Sequence, residues 1–377
     1  MGQGRRAKEK VKNKKGKGGV KFLVVILLLL IIALGVLFAL KILNKDESVS
    51  EIIDLIKEPE PEPVVQIVDV NSKTRPYAVM INNNHAAWPQ CGLQDAYIVY
   101  EIIAEGGITR MMALYKDTYP VKVGSVRSAR HYFIDYAEEN DAIYIHWGGS
   151  PQAYRRINTG INDLDGIALE GTVFFRDRSL KRDYEHTGFV DLEKVKEYAT
   201  KKGYTRDTNK DLLLNYSARE IDMSSLDGAK PATEIELVYS YYHTTSYEYD
   251  EENKVYKRSM SGKANVDLET GEQYTAKNII VYTVGNYTIN DGENKGRQEL
   301  NNIGSGTGYY ISDGYYIPIT WEKSSHSGQT IYKLANGEKL TVNDGNTFIQ
   351  ICPKNADINI TGPVVETETE NTVNTVN

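Results

Sequence analysis

Three arginines carry the clearest chemical potential in this chain. Gly124-Ser125-Val126-Arg127-Ser128-Ala129-Arg130 places two guanidiniums at a predicted strand-to-helix junction. Backbone N–H groups at a helix start favour anions, and the planar arginine fork suits phosphate or carboxylate. Arg110, which ends Glu105-Gly106-Gly107-Ile108-Thr109-Arg110, opens the preceding strand and is expected to converge on the same spot. The plain alternative is that the arginines pair with Glu101, Glu105 or Asp135 and lock the fold, and the sequence leaves both readings open.

A second constellation follows strand ends: Asn82-Asn83-Asn84-His85, then His146-Trp147-Gly148-Gly149-Ser150, with Arg176-Asp177 and Glu185-His186-Thr187 further on. Polar groups just past strands are where α/β sheets gather ligands. His85 or His146 beside Glu101 would supply acid and base, or with His186 would hold a divalent metal. No H-x-H, H-E-x-x-H or C-x-x-C spacing supports a metal, so structural histidines are the preferred reading and no cofactor is expected. Ser128 and Ser150 lack a G-x-S-x-G setting. Gly304-Ser305-Gly306-Thr307-Gly308 lacks the Gly-Lys-Ser/Thr of a phosphate loop and reads as a tight turn feeding a strand. Cys91 and Cys352 are expected to remain two unpaired thiols. The ligand-binding candidates are therefore Arg110, Arg127, Arg130, Asn84, His85, Glu101, Glu105 and His146.

In the chain that positions these residues, 44 Lys+Arg against 51 Asp+Glu conceal two populations. The first 45 residues hold eleven bases and one acid, net +10, so the remainder carries −17. Nucleic-acid binding by the long acidic part is excluded as its main business, because phosphate neutralisation needs clustered Lys/Arg. The split coincides with Phe22 to Leu40, nineteen apolar residues without a charge, against about 20 needed to cross a bilayer. Nine bases precede this segment, which places residues 1–21 as a basic cytoplasmic tail and the rest outside the membrane. An uncleaved signal anchor over 22–40 is preferred to a removed signal peptide. Residues 41–73, with Glu58-Pro59-Glu60-Pro61-Glu62-Pro63, read as a stiff spacer.

Beyond the spacer, short apolar runs at 77–81, 96–103, 109–115 and 142–147 read as strands, with helices at 129–139 and 191–202. That alternation predicts a mixed α/β (α+β) domain over 74–215. From 216 to 355 the pattern is strand and turn, which predicts a β-rich second domain, and 356–377 reads as a disordered tail.

The phrases RPYAVMINNNHAAWPQCGLQDAYIVYE (75–101), EGGITRMMALY (105–115), VGSVRSARHYFIDYA (123–137) and DAIYIHWGGSPQA (141–153) resemble the YerB-like lipoprotein family, whose function is not established. The resemblance continues through DLETGEQYTAKNIIVYTV (267–284), IGSGTGYYISDGYYIPITWEK (303–323) and VNDGNTF (342–348). It implies a two-domain layout at the outer face of the membrane. No cysteine lies at or just after the apolar segment, so the lipid attachment of that family lacks its residue here. Residues 108–130 also show a short likeness to the LytR-CpsA-Psr ligases, without their Pro-Arg-Asp phrase. That likeness implies a lipid pyrophosphate held by Arg127 and Arg130, with Asp135 or Glu105 and Mg²⁺ completing a transferase. The favoured expectation is an envelope binding module for an anionic wall component or a membrane protein, with the transferase as the alternative.

Overall fold

The computed structural model describes Leu27, residues 29–37 and residues 62–363. Leu27 and residues 29–37 are helical and exposed. Among the described residues no helix is long and apolar enough to cross a membrane, so the structure does not support the expected transmembrane helix over 22–40. The remainder of that segment, the basic tail, residues 41–61 and the chain beyond 363 lie outside the described residues.

From Pro63 onward the chain forms one unit, and it is mostly β. The apolar runs become β1 (Tyr77–Asn82), β2 (Ile98–Ile103), β3 (Thr109–Tyr115) and β4 (Ile143–His146), each buried at every residue. Uninterrupted apolar sequence suits strands covered on both faces. Next come β5 (Glu234–Val238), β6 (Thr244–Asp250) and β7 (Val255–Met260), whose burial alternates along each strand as a one-sided sheet requires. The chain closes with β8 (Asn278–Thr288), β9 (Gly304–Ser312), β10 (Tyr315–Lys323), β11 (Thr347–Pro353) and β12 (Asp357–Thr361).

Twelve strands make one sheet, whose main path runs β10-β9-β8-β11-β2-β3-β1-β4 with short strands at its margins. β5, β6, β7 and β12 belong to a second, six-stranded sheet. Because side chains alternate along a strand, the large sheet divides its apolar groups between two cores. Met80, Tyr100, Ile102 and Met112 pack with Tyr132, Phe133 and Tyr136 of helix α1 (His131–Glu139). Val79, Val99, Met111 and Phe348 pack with Ile235, Leu237, Tyr247 and Tyr256 of the second sheet. Two further helices are sharply bounded. Ser150 caps α2 (Pro151–Ile157) by accepting from the Ala153 N–H, and Asp191 caps α3 (Leu192–Lys201) through the Lys194 N–H.

The expected fold class is corrected by this topology. The first domain, expected to be mixed α/β, is mostly β with few and short helices; a division into two domains remains consistent with the chain, but their strands do not form separate sheets. Instead β11, from the far end of the chain, lies parallel between β2 and β8, with Ile98 and Asn278 both opposite Thr347. Periodicity identifies a strand but not its partner, so the shared sheet was invisible locally. The expected turn at Gly304 to Gly308 is part of β9. A Cβ at Gly308 would stand 2.5 Å from the Val281 carbonyl oxygen, so glycine there permits close strand approach. The tail expected from residue 356 begins with β12, paired to β5.

Since β11 joins the two halves, Ile349, fully buried within it, reports on both. Ile349→Ala is expected to cost about 2–5 kcal/mol and to lower a single urea transition followed by probes in each half. Two separated transitions would contradict one shared sheet.

Candidate functional site

The register β1-β3-β2 gathers polar residues at one end of the central strands. Glu101 of β2 lies opposite Met111, two residues from Thr109 on the same face. There its carboxylate meets the second sheet: Arg258 Nη2 of β7 stands 2.7 Å from Oε2, and His243 Nε2 lies 2.9 Å from Oε1. Thr109 Oγ1 donates at 2.7 Å, Asn83 Nδ2 at 3.0 Å and Thr245 Oγ1 at 3.1 Å. Burial would raise the Glu101 carboxyl, but the Arg258 guanidinium, with the His243 and Thr109 hydrogen bonds, holds it well below the usual carboxylate range. A carboxylate so paired and enclosed is a staple between sheets and a poor proton acceptor. His85 lies beside this network, its ring 4.2 Å from Tyr242 and 4.3 Å from Trp88. Burial, then His243 and Lys263, lower its pKa. Asn84 caps the turn that starts at His85 by accepting from the Ala86 N–H at 2.9 Å.

Arg110 follows Thr109 and so faces the opposite side of the sheet. Its Nη2 lies 2.9 Å from Glu105 Oε1 and its Nη1 donates to the Ser128 carbonyl at 2.8 Å. Arg130 grips the same carboxylate through Nε at 3.0 Å and Nη2, and donates to the Ala129 carbonyl. Both guanidiniums are buried, Arg110 to 5 % and Arg130 to 7 % exposure. Arg127 diverges to a partly exposed pair with Glu185 at 3.1 Å. Arg110 and Arg130 thus converge as expected, but onto an internal carboxylate. The remaining candidate, His146, is fully buried elsewhere, against Asp163 at 3.1 Å and the Gly148 carbonyl at 2.9 Å. His186 bonds Asn82 at 2.9 Å. Among the described residues no group of three or more His, Cys, Asp or Glu is placed to hold a metal. Cys91 and Cys352 are separate buried thiols, each pushed up to about 12 by burial.

A cleft of about 470 Å³ lies away from all these residues. Its walls come from the chain before β1, the residue after β3, the segment 208–218 and residues 329–340. Lys73, Lys116, Lys210 and Lys339 line it together with one acid, Asp211, and among the described residues none of the four lysines forms an ion pair. Lys116 is only 6 % exposed. Its ammonium donates to the Thr74 carbonyl and, at 3.4 Å, to Thr74 Oγ1. Burial lowers its pKa, the Asp117 and Asp69 carboxylates oppose that shift, and Lys73 adds a smaller lowering effect. Sequence reasoning missed this site because its lysines are scattered over 266 positions. The one local sign was Lys116, a charge directly following the apolar run of β3.

The arginine cluster predicts a definite acid response. Burial raises the Glu105 carboxyl, and Arg110 and Arg130 more than reverse this, bringing it from 4.5 to about 2. A depressed folded pKa contributes stability that is fully present above the unfolded value and is lost as pH falls toward the folded one. Glu105→Gln should therefore remove on the order of 3 kcal/mol at neutral pH and flatten the fall of Tm between about pH 5 and pH 2. An unchanged acid limb in that variant would refute the pairing.

Comparison with known proteins agrees with the strand-by-strand resemblance. Residues 65–205 match the N-terminal domain, and residues 235–349 the C-terminal domain, of the protein family of unknown function DUF3048. The chain is 32% identical over 289 residues, 75% of this chain and 82% of the relative, to a Bacillus subtilis (strain 168) protein described as "Putative lipoprotein YerB". The crystal structure of the YerB protein from Bacillus subtilis is similar with a TM-score of 0.66 at 28% identity, covering 80% of this chain and 100% of that one. With both domains matched and a homologue aligned over most of its length, this chain belongs to the DUF3048 family, to which YerB is its similar relative.

Proposed function

We propose that this protein is a binding module at the outer face of the cell envelope, and that it receives an anionic ligand in the lysine-lined cleft. The envelope placement is supported by the apolar, base-flanked stretch Phe22 to Leu40 and by the lipoprotein description of its relative. The observation that carries the binding reading is the set of four lysines without carboxylate partners around one cleft, in a chain whose residues after 45 sum to −17. Lone ammonium groups gathered at a concave site are repelled by one another and relieved by an anion. Binding is favoured over catalysis because Glu101 and Glu105 are committed to arginines, leaving neither free as a general base.

Titration calorimetry of the full chain with inorganic pyrophosphate tests this. Lys73→Gln/Lys339→Gln, altering two exposed side chains, is expected to weaken binding at least about ten-fold, and raised salt to weaken the wild type. Arg127→Glu is expected to leave the affinity in place. Loss of binding in Arg127→Glu with retention in the lysine variant would move the site to the arginine face, and no binding by the wild type would overturn the reading.

A further inference from the structure

We propose that the cleft's ligand is amphiphilic: a phosphate monoester whose anionic head meets the lysines and whose aliphatic stem lies along the apolar part of the wall. This rests on the anion-binding reading of the same cleft and specifies its chemistry. The wall is built of Val65, Val70, Leu212, Leu213 and Ile331. None of these is fully buried, and Val70 is 49 % exposed. A site for a small, fully hydrated anion gains nothing from such a surface, whereas an alkyl stem would remove it from water.

Lys116 sets the position of the head. An ammonium has three donors, and among the described residues the only hydrogen-bond partners of this one are the two oxygens of Thr74. Asp117 and Asp69 act on this ammonium from outside ion-pair distance, and a buried charge without a direct partner is costly; a phosphate oxygen would supply both the third acceptor and the direct counter-charge. Lys73 lines the same cleft as Lys116, so a dianionic head can engage both. At about 470 Å³ the cleft lies within the usual range of small-molecule sites. It therefore accepts a head and a short stretch of stem, and leaves anything longer outside.

Calorimetry on the full chain with inorganic phosphate, butyl, hexyl and octyl phosphate decides the matter, with octyltrimethylammonium as the cationic control. Affinity is expected to rise about four-fold per buried methylene until the wall is covered, then level off. Leu212→Gln and Ile331→Gln should flatten the series, and Lys116→Met should weaken every phosphate. Equal affinity for inorganic phosphate and all alkyl phosphates overturns the stem while the anion reading stands. No binding by any phosphate overturns both, and binding of octyltrimethylammonium as tight as octyl phosphate overturns the role of the lysines.

Discussion

The structure turns on one buried ion pair, Glu101 with Arg258, across the gap between two sheets. Both side chains are inaccessible to solvent, so each is tolerable only because the other is present. The remaining carboxylate lone pairs are taken by His243, Thr109, Thr245 and Asn83. Those donors lie in β3 and β6 or at the residues next to β1 and β6, so the network sets how the second sheet lies on the first. Tyr239, whose hydroxyl donates to the Glu101 carbonyl at 3.1 Å, extends the same seam.

Several other buried charges obey the same rule. Glu139 accepts from Lys323 at 2.8 Å and from the Thr330 hydroxyl and N–H, which ties α1 to β10. Asp141 is shared by Arg75 and Arg206, and Glu105 by Arg110 and Arg130. Lys116 departs from it: buried, it is hydrogen-bonded among the described residues only to the neutral oxygens of Thr74. Its conflict with the rule, more than its sign, makes the cleft distinctive.

Much of the fold was legible residue by residue. β3 has the limits that its apolar run predicts, and α3 has Asp191 at its N-cap and Gly203, with φ +74°, just past its end. Thr109 and Arg110 show where legibility stops. Both are polar residues at the start of one strand, yet one joins the Glu101 network and the other the Glu105 pair on the opposite face. His243 drew no attention in sequence, being one histidine in a tyrosine-rich stretch, and became central only when β6 was laid against β2.

The sequence by itself determined most of the central strands and helices, the charge division at residue 45 and the membership of a recognisable family. Each depends on interactions within a few positions or on long stretches of shared residues. Tertiary structure decided that β11 would join β2 of the first half to β8 of the second, that Glu101 would find Arg258 and that Lys73, Lys116, Lys210 and Lys339 would meet around one cleft. These groups are separated by tens to hundreds of residues, and no local propensity encodes such pairings. Strand partners are chosen by the global burial of apolar surface, and only that choice tells a buried charge whether its counter-charge will arrive.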